Sequence, residues 1–186
     1  MAKTITVHDK QFRLLMPAAE IETAVRRVAE DISRDYEGKE LILCPVLTGS
    51  YLFVADLTRF MTFDADLAFV RYQSYAGMQS TGTVRSLLPF PERCRGKHVL
   101  IVEDIVDSGI TMETMLKEVA ALEPASVRVC TFLFKPGNFT KSFPIDYIGA
   151  SIPNDFIVGY GLDYDGRGRT YRDLYILDQD TNPIDQ

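Results

Sequence analysis

Apolar residues follow two spacings along the chain, one typical of helices and one typical of buried strands. A helix is predicted over residues 18–36, where apolar positions recur at helical spacing between charged ones, namely Ile21, Val25, Val28 and Ile32. The apolar run over 41–47 is short and uninterrupted, which predicts a strand buried on both faces. Further helices are predicted over 51–61 and 109–122, and further strands over 66–72, 84–89, 97–103, 126–134, 147–151, 156–160 and 174–177.

Strand and helix alternate through the middle of the chain, and this order predicts the fold class. Right-handed helical crossovers between parallel strands are the usual outcome of such a pattern. We therefore predict an α/β fold with a mostly parallel twisted sheet flanked by helices. Ligands of these sheets bind at the carboxyl ends of the strands, so the residues that follow each strand are the candidates for chemistry.

Composition and charge narrow the classes of function. Of the 186 residues, 46% are hydrophobic and 25% are charged, as in an ordinary folded chain. The 26 acidic and 20 basic residues give a formal net charge of −6, which argues against nucleic acid or an anionic membrane as a partner. No apolar run is long enough for a transmembrane helix, and the first residues lack a signal-peptide pattern. Cys44, Cys94 and Cys130 form no C-x-x-C pair, so we expect a reduced, cytoplasmic protein.

The most informative segment runs from Glu103 to Thr111. Two adjacent acids follow an apolar strand, and Asp107 then precedes a Ser-Gly-x-Thr turn and a helix. Backbone N–H groups in such a turn, at the positive end of a helix, form an anion site suited to a phosphate. The carboxylates would repel a phosphate but suit sugar hydroxyls or Mg²⁺. A solvated acidic turn is the plainer interpretation, and the ordered pattern as a whole disfavours it.

The segment from Glu103 to Thr111 resembles the motif of type I phosphoribosyltransferases that binds 5-phosphoribosyl 1-pyrophosphate (PRPP). The rest of the chain, from about residue 41 to 174, resembles the hypoxanthine/guanine branch of that family. The resemblance implies that Asp107 is the acid/base residue acting at purine N7. It implies a 5′-phosphate site made of Asp107, Ser108, Gly109, Ile110 and Thr111, and a ribose and metal site at Glu103 and Asp104.

Other parts of the chain resemble the remaining site segments of the family. The resemblance implies that Leu47, Thr48, Gly49 and Arg172 bind pyrophosphate, and that Ser74 and Tyr75 belong to a mobile flap. Lys135 would read the purine 6-oxo group and Phe156 would stack on the ring. Ile157 and Asp163 would complete the purine site, with Asp163 also linked to the metal.

Two departures from the family pattern stand out. Thr48 occupies the place where the family usually has Lys, and we expect a cis peptide bond before it, as the family often has. The spacing from Asp163 to Arg172 is longer than usual, so Arg167 and Arg169 are rival candidates for the pyrophosphate contact.

The resemblance implies a purine-salvage enzyme. It would transfer the 5-phosphoribosyl group of PRPP to N9 of a 6-oxopurine, with Mg²⁺ as cofactor, and release the nucleotide IMP or GMP and pyrophosphate. Hypoxanthine, guanine and xanthine remain open as the preferred base. We expect one domain over 1–186, with a small hood lobe formed by the N-terminal segment and about 150–186, in a homodimer or homotetramer.

Two other classes of function remain as alternatives. A regulator of the same fold would sense PRPP or nucleotides while binding RNA or DNA, but a pI near 5.0 disfavours it. A phosphotransfer protein would use Asp104 or Asp107 as a phosphate acceptor. The Ser-Gly-x-Thr turn directly after Asp107 suits a sugar phosphate better.

Overall fold

The computed structural model describes residues 3–74 and 84–179, and in these ranges the chain forms two sheets, three α-helices and one short 3-10 helix (Glu92–Cys94). The helices are α1 (Ala18–Tyr36), α2 (Tyr51–Phe60) and α3 (Ile110–Ala120). The strands are β1 (Thr4–Val7), β2 (Lys10–Met16), β3 (Leu41–Leu47), β4 (Asp66–Leu67), β5 (Val70–Ser74), β6 (Val84–Leu88), β7 (His98–Val106), β8 (Ser126–Phe134), β9 (Tyr147–Ser151), β10 (Ile157–Val158) and β11 (Leu174–Leu177). Tyr75 of the predicted flap lies outside the described residues.

The larger sheet has the order β6-β5-β3-β7-β8-β9, and β4 pairs beside β3. All neighbouring pairs are parallel except β5 with β6. The predicted α/β class with a mostly parallel sheet is therefore confirmed. The central strands β3 and β7 are apolar because both faces of the sheet are covered.

Helices cover the two faces of this sheet and create two cores. On one face, α1 and α2 bury residues such as Ile32 and Leu57 against β3 and β8. On the other face, α3 buries Met115 and Val119 against β3, β5 and β7. Each fully buried apolar side chain stabilises the fold by roughly 1.5–3 kcal/mol. The packing fixes α3 on the sheet, and its first turn directly follows the segment 103–109.

The smaller sheet is antiparallel and has the order β1-β2-β11-β10, so it joins the two ends of the described chain. Asp173 links it to the start of α1, since its Oδ1 accepts a hydrogen bond from the Ala18 N–H over 2.8 Å. Its Oδ2 accepts hydrogen bonds from Lys3 and from the Tyr175 hydroxyl. We call this four-stranded sheet the hood sheet.

Several predicted element boundaries need correction. The strand predicted over 97–103 runs to Val106, because β7 keeps pairing with β8 as far as Val106↔Phe134. The two acids therefore lie within the strand rather than at its end. The strand predicted over 66–72 divides into β4 and β5. No strand was predicted before residue 18, yet β1 and β2 form there because β2 pairs with the distant β11.

Candidate active site

A cavity of about 470 Å³ opens at the carboxyl ends of β3 and β7. Most of the predicted site residues line it, namely Leu47, Thr48, Gly49, Glu103, Asp104, Asp107, Ser108, Gly109, Ile110, Thr111 and Asp163. The fold thus brings together two loops that are more than 50 positions apart in the sequence. Four predicted residues lie outside this lining, namely Lys135, Phe156, Ile157 and Arg172. Only the backbone of Ser74 is described, at the end of β5.

The turn from Ser108 to Thr111 is shaped to receive an anion. Gly109 precedes α3 with φ +82°, in the left-handed region that favours glycine, and a Cβ there would lie 2.7 Å from the Phe139 ring. The N–H groups of the first helical turn have no partners within the helix, and the helix dipole makes this end positive. The Thr140 N–H donates to the Ser108 carbonyl over 3.4 Å and holds the outer side of the turn.

Glu103 and Asp104 form a half-buried pair of acids inside the cavity. Burial raises the pKa of Glu103 well above its ordinary value, and the charge of Asp104 raises it further. Burial also raises the pKa of Asp104, although hydrogen bonds from Glu103 and the Ile105 N–H oppose this shift. A cation beside this pair would favour its fully ionised form.

The loop at Leu47–Gly49 packs directly against these acids. The peptide bond between Leu47 and Thr48 is cis, which confirms the prediction. A Cβ on Gly49 would lie 1.5 Å from Asp104 Oδ2, so no side chain fits at this position. A Cβ on Gly161 would lie 1.9 Å from the Gly49 carbonyl oxygen. The segment that connects β10 and β11 of the hood sheet therefore packs against the loop, and the loop packs against Asp104.

Arg169 occupies the cavity wall where Arg172 was predicted to act. The Arg169 guanidinium lies 2.7 Å from Asp163 Oδ1 and donates to the Gly161 carbonyl over 2.7 Å. The positive charge of Arg169 opposes the rise in the pKa of Asp104 that burial causes. Arg172 and Arg167 are exposed and do not line the cavity. The geometry favours Arg169, one of the two rival candidates, over Arg172.

Lys135 lies beside the cavity and pairs with Asp107. Its Nζ is 3.1 Å from Asp107 Oδ2, and its side chain is 9% exposed against 45% for that of Asp107. The Lys135 N–H donates to the Val106 carbonyl over 3.0 Å, which anchors the end of β8 to the end of β7. A buried ammonium needs a charged partner, and Asp107 supplies it.

Ile157 is the first residue of β10 in the hood sheet, and Phe156 directly precedes it. Phe156 is 46% exposed and meets the edge of the Tyr164 ring, with 5.8 Å between centroids. The Ile157 side chain is buried in the core, so only its backbone is available to a ligand. An apolar ring exposed to this extent offers a flat surface to a planar ligand.

Six described residues of the cavity wall lie outside the predicted site set, and two of them have polar side chains, Tyr72 and Arg169, of which Arg169 was named only as a rival candidate. Tyr72 lies in a predicted strand, and its sequence context is that of an ordinary core aromatic. Arg169 follows a glycine-rich loop whose path is set by Gly166 and Gly168, both with positive φ. No local signal in the sequence identifies Tyr72, and the insert that made Arg169 a candidate does not separate it from Arg167.

The carboxylates of the cavity suit a shared magnesium ion rather than a closed protein cage. Among residues 3–74 and 84–179, no three or more His, Cys, Asp or Glu side chains converge on one point. Mg²⁺ is usually held by one or two carboxylates together with substrate phosphates and water. Glu103, Asp104 and Asp163 fit that arrangement. In the same described ranges no helix is long and apolar enough to cross a membrane.

Comparison with known proteins gives consistent matches over most of the chain. The family model described as phosphoribosyl transferase domain matches residues 16–165. The hypoxanthine-guanine phosphoribosyltransferase of Mycobacterium bovis is 41% identical over 168 residues, covering 87% of this chain and 82% of that protein. The hypoxanthine phosphoribosyltransferase of Escherichia coli K12 is 39% identical over 159 residues, covering 84% and 89%. A crystal structure of a Bacillus anthracis hypoxanthine-guanine phosphoribosyltransferase has a TM-score of 0.84 at 33% identity, covering 89% and 98%.

Proposed function

Because the chain belongs to the phosphoribosyltransferase family, we propose that it is a purine-salvage enzyme that transfers the 5-phosphoribosyl group of PRPP to N9 of a 6-oxopurine. The products are IMP or GMP and pyrophosphate. The single observation that carries this proposal is the common cavity of the loop 47–49 and the turn 108–111. PRPP has a pyrophosphate at C1 and a phosphate at C5, and we propose that the loop binds the pyrophosphate and the turn binds the phosphate.

The acids between the two loops complete the site for the sugar. Displacement of pyrophosphate leaves an oxocarbenium-like ribose, which is stabilised by nearby negative charge. We propose that Glu103 and Asp104 accept hydrogen bonds from the ribose hydroxyls. We propose that these acids and Asp163 hold Mg²⁺, which when bound offsets the charge of the departing pyrophosphate. Arg169 adds a fixed positive charge to the wall of this cavity.

The base is proposed to bind between Asp107, Lys135 and Phe156. Lys135 donates to the 6-oxo oxygen, which favours hypoxanthine and guanine over adenine. Asp107 takes up the proton from purine N7 while N9 attacks C1 of the sugar and pyrophosphate leaves. The ion pair between Asp107 and Lys135 keeps both groups within 3.1 Å of each other, so one planar ligand can meet both.

A substrate panel tests this function. Purified protein is supplied with PRPP, Mg²⁺ and one base at a time from hypoxanthine, guanine, xanthine and adenine, and nucleotide formation is followed. We expect turnover with hypoxanthine, and at least about a hundred-fold lower kcat/KM with adenine, because the adenine amino group cannot accept the hydrogen bond that Lys135 donates to a 6-oxo oxygen. A protein that makes no nucleotide from any 6-oxopurine would contradict the proposal.

We also propose a homodimer or homotetramer in the cytoplasm. Large apolar side chains are exposed near β4–β6, namely Leu67, Phe69, Leu87 and Leu88, and a subunit contact would bury such a surface. Light scattering coupled to size-exclusion chromatography measures the mass directly. A monomer at micromolar concentration would contradict the assembly.

A further inference from the structure

Tyr72 lies in the wall of the cavity that also contains the two segments proposed to bind the phosphates of PRPP. In the parallel pairing of β3 and β5, Leu47 is opposite Arg71, so Tyr72 is one residue further on, level with the loop 47–49. Its ring is 9% exposed and lines the cavity together with Met112 from the first turn of α3. Tyr72 therefore lines the cavity from β5, which β3 separates from β7, on the face of the sheet that α3 covers.

The hydroxyl of Tyr72 is fixed by a residue far along α3. It donates to Glu118 Oε2 over 2.6 Å, and burial raises the pKa of Tyr72, so the hydroxyl keeps the proton that it donates. Glu118 follows Ile110 by eight residues, about 12 Å along the helix axis. Phe90 supports the ring from another side, with 6.0 Å between centroids. Glu118 thus holds the Tyr72 hydroxyl, and Phe90 packs against the ring.

This hydrogen bond joins β5 to the helix that carries the phosphate turn. Tyr72, Met112 and Met115 belong to the same core, so a change in the position of the ring moves the apolar support of the first turn of α3. The carboxylate of Glu118 is at the exposed surface and does not contact the cavity. Its effect on a ligand must pass through the ring.

We propose that Tyr72 and Glu118 form a positioning pair for PRPP. The pair ties β5, the neighbour of the strand that leads into the pyrophosphate loop, to α3, which follows the 5′-phosphate turn, and so sets the distance between the two proposed anion sites. It has no contact with Lys135 or Phe156, where the base is proposed to bind. This inference rests on the proposed function and adds two residues that act on one of its substrates.

Steady-state kinetics with each substrate varied in turn test the pair. Tyr72→Phe removes only the hydroxyl, Glu118→Leu removes the acceptor, and Glu118→Gln keeps an acceptor oxygen at the same place. Tyr147→Phe is the matched control, because the Tyr147 hydroxyl also donates to a carboxylate, that of Asp35 over 2.7 Å, away from the cavity. Calorimetric titration of PRPP with Mg²⁺ gives a second measure that does not depend on turnover.

For Tyr72→Phe and Glu118→Leu we expect the KM and Kd for PRPP to rise about 5- to 20-fold, the effect of losing one hydrogen bond to a charged acceptor. The KM for hypoxanthine should stay within about two-fold, the double variant should be no worse than either single one, and Glu118→Gln should resemble wild type. Tyr147→Phe should lower only thermal stability.

Unchanged PRPP parameters, or equal losses for both substrates, would overturn the inference in an enzyme that is otherwise active. Wild-type protein without PRPP-dependent activity would overturn the proposed function as well. Because Glu118 is exposed, its variants give a result even if Tyr72→Phe fails to fold.

Discussion

Asp107 Oδ2 lies 3.1 Å from Lys135 Nζ, and the two residues come from the ends of neighbouring parallel strands. The pair brings a carboxylate proposed to move a proton next to an ammonium proposed to read the base. Each residue can therefore be tested separately, although a change in one alters the surroundings of the other.

The first prediction concerns Asp107. Asp107→Asn should lower kcat about 10²- to 10⁴-fold, the usual contribution of a general acid/base group, while the Kd for PRPP changes only a few-fold. The amide keeps the shape and a hydrogen-bond acceptor but cannot take up the proton. Turnover by rapid quench and PRPP binding by calorimetry separate the two effects. Unchanged turnover would remove Asp107 from the proposed role.

The second prediction concerns Lys135. Lys135→Ala should raise the KM for hypoxanthine about 10- to 100-fold, as expected for loss of a charged hydrogen bond, and leave the KM for PRPP nearly unchanged. The side chain of Asp107 is 45% exposed, so water can solvate it once the ammonium is gone. Lys141→Ala is the control, because Lys141 pairs with Glu113 on α3 and lies outside the cavity lining. Equal losses for both substrates would contradict the assignment to the base.

The third prediction compares two arginines. Arg169→Ala should lower kcat/KM for PRPP about 100-fold or more, because it removes a fixed charge from the cavity and frees Asp163. Arg172→Ala should stay within about three-fold of wild type, since an exposed side chain outside the cavity contributes little. Kinetics at varied PRPP decide between them. A greater loss in the Arg172 variant would restore the role that the resemblance implied.

The fourth prediction concerns the contact between Gly161 and Gly49. Gly161→Ala places a Cβ 1.9 Å from the Gly49 carbonyl oxygen, whereas Gly166→Ala meets open space at a similarly positive φ. Both variants should lose about 1–2 kcal/mol of unfolding free energy from the left-handed backbone. Only Gly161→Ala should also weaken PRPP binding, because the loop must shift. Equal PRPP affinity in the two variants would show that the contact does not govern the site.

The fifth prediction is the pH dependence of stability through Asp173. The hydrogen bond from Lys3 lowers the pKa of Asp173, with further hydrogen bonds from the Ala18 N–H and Tyr175. A carboxyl whose folded pKa is depressed adds stability above its unfolded pKa of about 3.9, and this stability is lost as the pH falls through the folded pKa. Asp173→Asn should therefore flatten the acid side of the stability profile. Urea unfolding from pH 6 to 2.5 measures it, with the exposed Asp64→Asn as control. A profile like that of wild type would contradict the prediction.

The sequence predicted those parts of the fold that depend on local pattern. The bounds of α1, β3 and β8 agree with the prediction, because long apolar periodicity or an unbroken apolar run leaves little choice. β1 and β2 were missed because their stability comes from pairing with β11 at the other end of the chain. The end of β7 was placed too early because acids inside a buried strand are rare, and here they line a cavity.

The candidate site was predictable where a motif is contiguous. The segment 103–111 and the loop 47–49 were placed from spacing and resemblance, and the fold brings them to one cavity. The choice between Arg169 and Arg172 depends on how the glycine-rich loop turns, which no local pattern encodes. Tyr72 could not be identified because its role depends on a contact with Glu118 across the fold.

The pairing of β2 with β11 has a consequence for synthesis on the ribosome. All strands of the larger sheet and α3 emerge before β11 does, so the phosphate-binding half of the site can assemble while the chain is still growing. β2 can pair with its second neighbour only after β11 has been synthesised. The half proposed to face the purine is therefore expected to mature last, and a chain released early would present the proposed pocket for the sugar donor without the hood sheet.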